Sequence, residues 1–184
     1  MNSNKDPQFY LDMIEGKHRG MQDELYKDEP EPLRESMMLN HAFDMLVEIG
    51  DGSVVDKLTK YLDERVDEYS YKKSGALTVI GALGSIDQEA LIEPYLCSAD
   101  EVLSFISYCS MCNLLVRRNL SANAKDRLVT LILDKFEDNL TSVEEIVEGA
   151  KTLKLIDYPN IDQLVTRMRE KYPDFWDEYR ASLL

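Results

Sequence analysis

The chain is short of the residues that most catalytic chemistry needs. Its 184 residues include 2 histidines and 3 cysteines. So few histidines leave a nucleophilic triad few ways to assemble, and the Gly-x-Ser-x-Gly elbow does not occur. Cys97, Cys109 and Cys112 cannot all pair with one another; an odd, sparse set fits a reducing cytoplasm and not a disulfide framework. No apolar run reaches the roughly 18 residues of a membrane span. The opening residues, 1–10, lack the apolar stretch of a secretory signal, so a cytoplasmic location is expected. Basic residues are also few, 21 Lys and Arg against 35 Asp and Glu, and the formal charge is −14. That balance repels phosphate, which argues against direct nucleic-acid binding and against an anionic membrane surface.

Glycine and proline are scarce, 8 and 6, and the stretches between them have helical spacing. Met38, Ala42, Met45, Leu46 and Ile49 lie on one face of a 3.6-residue helix. Val55, Leu58, Tyr61 and Leu62 repeat the pattern, as do Leu128, Leu131, Ile132 and Phe136, then Ile161, Leu164, Val165 and Met168. Sustained alternation of period two is missing. The glycines about the apolar run Ala76–Leu83 favour a small-residue helix packed closely on its neighbours over a strand. Capping signals mark the starts. Asp6 precedes Pro7, Ser121 precedes Ala122, Asn160 precedes Ile161, and Ser142 stands three residues before Glu145 in a capping box. Phe175, Trp176 and Tyr179, with Pro173, Asp174 and Leu183, read as a short closing helix.

A repeat underlies these segments. Leu46-Val47-Glu48-Ile49-Gly50 aligns with Ile80-Gly81-Ala82-Leu83-Gly84 at an offset of 34, which also carries Leu58 to Ile92 and Leu62 to Leu96. Steps of 36 reach Leu128 and Ile132, then Leu164 and Met168. Such a period predicts helix–turn–helix units that stack because none buries its apolar face alone. The segment ALTVIGALGSIDQEALIEPYL, with Ala82-Leu83-Gly84-Ser85-Ile86 across its turn, resembles the unit of HEAT-like repeat proteins. The match is good over 76–96 and fair over 42–62. Over 107–133 and 145–168 it is only periodic, so a divergent helical bundle satisfies the same spacings. The resemblance implies an all-α fold: a right-handed stack of about four antiparallel helix hairpins, an α-solenoid, with capping helices at both ends. The expected layout is one domain, 1–184, large enough to bury its own core. An N-terminal helix and linker would take 1–34, repeats 35–171 and a C-terminal cap 172–184. The resemblance also implies a scaffold for binding macromolecules and transfers no catalytic residue.

Each apparent chemical motif is incomplete. Cys109-Ser-Met-Cys112 is a single CxxC inside the apolar stretch Val102–Val116, without the further ligands a zinc site needs, and reads with Cys97 as core packing. Glu15-Gly-Lys-His18 has the Glu-x-x-His spacing of di-iron bundles, but Met38 stands three before His41, so a second copy fails. Asp51-Gly52-Ser53 lacks the later ligands of a calcium loop, and Gly149-Ala-Lys151-Thr152 lacks the glycines of a P-loop. Carboxylates are too numerous for any pair to stand out as acid and base. No enzyme activity, metal or cofactor is expected.

What remains is charge. Residues 1–70 hold 17 acids and 8 bases, a balance of −9, and the rest of the chain holds 18 and 13, a balance of −5. Dense points include Asp28, Glu29 and Glu31, then Glu144, Glu145 and Glu148, and Asp174, Asp177 and Glu178. The densest run is Asp63, Glu64, Asp67 and Glu68, followed by Tyr69 and Tyr71. These six residues are the expected partner-binding site, at the edge where two hairpins join. Carboxylates steer a basic partner, and tyrosines anchor it. In size, charge and lack of chemistry the chain resembles, as a class, the small acidic immunity proteins of bacterial toxin systems. That resemblance implies a non-enzymatic inhibitor, monomeric when free, that covers the cationic active site of a toxin nuclease. Three rivals stand beside it: a scaffold or adaptor gripping a peptide or protein partner, an acidic nucleic-acid mimic, and an enzyme built on a metal at the cysteines.

Overall fold

Side-chain caps set where several helices begin. The computed structural model describes residues 6–138, 141–172 and 175–182. Pro173, Asp174 and Leu183 lie outside the described residues, as does the Glu31 side chain. In chain order come α1 (Pro7–Ile14), α2 (Arg19–Leu25), α3 (Glu31–Ile49), α4 (Val55–Leu58), α5 (Tyr71–Leu83), α6 (Glu89–Ile92), α7 (Glu101–Val116), α8 (Ala122–Glu137), α9 (Val143–Leu155), α10 (Ile161–Lys171) and α11 (Phe175–Ser182). No strand occurs among the described residues, and the chain is all-α.

The side chains of Asp6, Ser121 and Ser142 accept backbone N–H groups at the starts of α1, α8 and α9, and Glu145 completes the capping box at α9. Each such cap contributes about 1 kcal/mol. Asn160 behaves differently. It makes no side-chain cap; it takes a left-handed backbone with φ 61°, a conformation that asparagine tolerates better than most residues. The second helices of the first two expected units are much shorter than their apolar spacing suggested. α4 and α6 are four residues each, set between the 3-10 turns Gly52–Val54 and Thr59–Tyr61, and Ile86–Gln88 and Glu93–Cys97. Pro94, at the start of the last turn, has no N–H to continue α6.

Packing follows the order α1, α3, α5, α7, α9, α11, each helix against the next. α8 lies on α7 and α9, and α10 on α9 and α11. α5 is the shared wall between two apolar clusters. Its Ala76 and Val79 join Met13, Met38, Phe43 and Leu46 on the N-terminal side. Its Leu77 and Ile80 join Leu103, Tyr108, Met111, Leu128 and Phe175 on the other. Burying one such aliphatic side chain contributes roughly 2 kcal/mol. The small residues of α5 permit this, as the sequence predicts: a Cβ on Gly81 would fall 2.5 Å from the Ser110 Cα, and one on Gly75 would collide with the Phe43 ring.

Polar bonds between elements recur at a nearly constant spacing. Ser110 Oγ donates to Leu77 O, Asn119 Nδ2 to Gly84 O, Ser121 Oγ to the Glu89 carboxylate and Lys171 Nζ to Phe136 O, all at 2.6–2.9 Å and between residues 32–35 apart.

Candidate functional site

Lys73 organises the segment chosen from sequence. It stands in the first turn of α5, and only 3% of it is exposed. A buried ammonium needs acceptors, because its desolvation is costly unless it is paired and hydrogen-bonded. The chain supplies them by folding residues 62–70 back over it. Lys73 Nζ donates to Arg65 O and Glu68 O, both at 2.7 Å, and pairs with the Asp63 carboxylate at 3.1 Å. The Tyr95 ring lies beneath at 5.8 Å. The loop is then pinned to the following unit. Tyr95 OH donates to Asp63 O at 2.7 Å, Ser98 Oγ to Val66 O at 2.6 Å, and the Ala99 N–H to the Asp67 carboxylate at 2.6 Å.

Three of the four acids of this run are exposed yet hold internal partners. Asp63 holds Arg65 at 2.8 Å as well as Lys73, and first Arg65, then Lys73, depress its carboxyl to about 2. Glu68 pairs with Arg65 at 3.0 Å. Glu64 is exposed and makes no ion pair among the described residues. Two parts of the segment do turn inward: Val66 packs on the core, and the loop backbone wraps a buried cation.

Tyr69 and Tyr71 point the other way. They are 37% and 44% exposed, with their rings edge to face at 5.4 Å. They sit where two hollows of about 450 and 350 Å³ meet over α3 and α5. The first is lined by Glu35, Ser36 and Leu39 of α3 and by Lys72, the second by Asn40, Phe43 and Asp44 of α3, Ser74 and Thr78 of α5, and Ile106 of α7. Lys72 leans over the Tyr61 ring at 5.6 Å. Glu35 and Asp44 are exposed and make no ion pair among the described residues. Sequence reading missed both; isolated acids on an amphipathic helix carry no density signal.

α7 is the central helix expected from the uncharged run Val102–Val116, but one face of it is uncovered. Val102 is 50% exposed, and Phe105, Ile106 and Cys109 are half-buried. Phe105 and Ile106 fall on opposite flanks of that ridge. Ile106 borders the hollow shared with Tyr69 and Tyr71; Phe105 and Val102 border another, of about 500 Å³, with Glu101 and Glu145. Glu101 is exposed and unpaired among the described residues, whereas Glu145 holds Lys135 at 2.6 Å.

The remaining motifs separate in space. Cys112 is buried and Cys109 half-buried, and burial pushes the Cys109 thiol up to about 12, so it is held as an inert thiol. Cys97 corrects the core-packing expectation: it is exposed, because it ends a 3-10 turn where the chain leaves in extended form. Glu15 is held by Lys17 at 2.8 Å and Lys60 at 2.5 Å, and these bonds, Lys17 first, lower its carboxyl to about 2. His18 stacks near Phe9 at 4.7 Å, and His41 lies near Tyr10 at 6.2 Å. No group of three or more metal-ligating side chains is placed around a common point among the described residues. None of the described helices is long and apolar enough to cross a membrane. A hollow of about 780 Å³ between α8 and α10 is lined by Leu133, Phe136, Tyr158 and Leu164 with Asp134, Glu137 and Arg167, and its lining includes no histidine, cysteine or serine. Comparison with protein-family models, with curated proteins and with solved structures finds no match for the chain.

Proposed function

We propose that the chain is a non-enzymatic, protein-binding inhibitor of a basic partner, an immunity protein that covers the cationic groove of a toxin nuclease in the cytoplasm. One observation carries this reading: the acidic surplus stays available after the protein has met its own needs. Thirty-five acids against 21 bases leave 14 carboxylates unmatched even at full pairing. Lys17, Lys60, Arg65, Lys73, Arg127, Lys135, Lys151, Lys154 and Arg167 are already taken up by internal carboxylates. Exposed Glu35, Asp44, Glu64 and Glu101 answer to none of them. Such a field speeds encounter with a cationic groove and disfavours nucleic acid itself.

The scaffold we propose for this task is a HEAT-like stack of helix hairpins. Its support is the recurrent 32–35-residue spacing of the polar bonds between elements, together with the helix-on-next-helix packing order. A scaffold that grips a peptide is the second reading, favoured by the uncovered apolar face of α7.

The test is a nuclease assay with cationic toxin nuclease domains, together with association kinetics over a salt series. Equimolar protein should suppress cleavage. The association rate should fall about tenfold or more as salt rises from low to physiological strength and beyond. Binding that is indifferent to salt, with cleavage unaffected, would overturn the inhibitor reading.

A further inference from the structure

We infer that the recognition surface is the groove over α3 and α5, continued across the uncharged ridge of α7, and that its occupant is a basic amphipathic segment of a partner protein. This deepens, and rests on, the proposal that the partner is basic. The site differs from the acidic run that the sequence singles out. Asp63 and Asp67 are bonded to Lys73 and to the Ala99 N–H, and Glu68 is paired with the exposed Arg65, while Tyr69 and Tyr71, at the end of the same loop, turn into the groove.

Three features fix the chemistry of the occupant. The floor is apolar and aromatic: Leu39 and Phe43 lie beneath, Tyr69 and Tyr71 stand as a rigid edge-to-face pair, and Ile106 forms the far wall. The rim is anionic, because Glu35 and Asp44 on α3 and Glu101 at the start of α7 pair with no cation among the described residues. The basic side chain nearest the floor, Lys72, is drawn aside over Tyr61. An occupant must therefore bring aliphatic or aromatic side chains for the floor and Lys or Arg for the rim. A second copy of this chain is a poor match for the rim, since it carries the same −14 charge. An acidic or purely apolar peptide would leave the carboxylates unmatched against it. Small residues at the α3–α5 crossing, Ser74 and Gly75, keep the floor low enough for a segment to lie in it.

The experiment uses the full chain and labelled synthetic 18-residue peptides: an amphipathic Leu/Lys helix, its Leu/Glu counterpart, and a Lys/Ser peptide of equal charge without an apolar face. Fluorescence anisotropy reads the affinities. The Leu/Lys helix should bind at least about tenfold more tightly than either control. Asp44→Lys and Tyr71→Ala, each with an unchanged helical circular-dichroism spectrum, should weaken it about tenfold, and Glu64→Lys by no more than about twofold. If the Leu/Lys helix binds but only Glu64→Lys weakens it, the groove is wrong and the basic-partner reading stands. If Leu/Glu binds as well as Leu/Lys, or neither binds, the basic-partner reading fails with it. If Lys/Ser matches Leu/Lys, the apolar floor plays no part and the proposal is overturned. Self-association abolished by Tyr71→Ala would assign the groove to a second copy and overturn it as well.

Discussion

Two acidic regions of this protein differ in what their charges are for. The loop over 62–70 is dense in acids, and most of those acids serve the fold: Asp63, Glu68 and Asp67 bond to Lys73, Arg65 and the Ala99 N–H. The α3–α7 face is sparse in acids, and the side chains of Glu35, Asp44 and Glu101 there make no ion pair among the described residues. Density along the chain is therefore a poor measure of the charge a partner meets. A compact run of carboxylates can be tied to its own loop and its neighbours, while carboxylates nine residues apart on a helix pair with no cation among the described residues.

The largest effect is expected at Lys73. Lys73→Met keeps the aliphatic stem but strands Arg65 O and Glu68 O and releases Asp63. Removing this buried cation, whose carboxylate partner is exposed, should cost about 2 kcal/mol through the two carbonyls left without a donor. Urea unfolding measures it, and a loss under about 1 kcal/mol would mean that the loop is not built around this cation. Tyr95→Phe comes next. It deletes the hydroxyl that holds Asp63 O at 2.7 Å, at a cost of about 1 kcal/mol. Amide exchange in residues 62–70 should quicken in this variant while the α3 amides keep their protection.

A smaller effect is tied to pH. The Asp63 carboxyl is held at about 2 in the folded protein against an ordinary 3.8. A depressed acid stabilises the fold above its unfolded value, and that contribution is lost as pH falls from about 4 toward about 2. Wild type should lose stability more steeply across this window than Asp63→Asn. Parallel curves would show that Asp63 has no folded-state partner.

Helix type and caps were legible in the sequence because both are local. The 3.6-residue spacing and the serine caps act within a few residues of themselves, and the all-α class follows from them. α4 and α6 were legible as helical but not in length, because 3-10 turns and Pro94 shorten them without changing which apolar residues face inward. Tyr69 and Tyr71 stand out in the sequence, but the groove they border does not. Nothing near Lys73 in the sequence announces that the preceding loop will fold back over it. That outcome depends on Tyr95, Ser98 and Ala99, residues in the next unit. Cys97 was misjudged for a related reason: cysteine's general preference for burial does not register the end of a turn.

The smallest expected effect separates the two regions best. Glu35→Gln with Asp44→Asn should change stability by less than about 0.5 kcal/mol, as surface substitutions away from bonded networks usually do. The sign should favour the variant. Glu35 lies beyond the first turn of α3, where the helix dipole no longer rewards a negative charge. Asp44 stands four residues before Glu48 on the same helix, a like-charge pair that costs a few tenths of a kcal/mol, roughly 0.2–0.5, when both are ionised. Neutralising them also relieves a chain that carries −14 overall. A measured gain of this order at low salt, shrinking as salt is added, would mean that the fold tolerates these carboxylates and does not use them. A loss greater than about 1 kcal/mol would require a folding role for them, and the contrast with the loop over 62–70 would collapse.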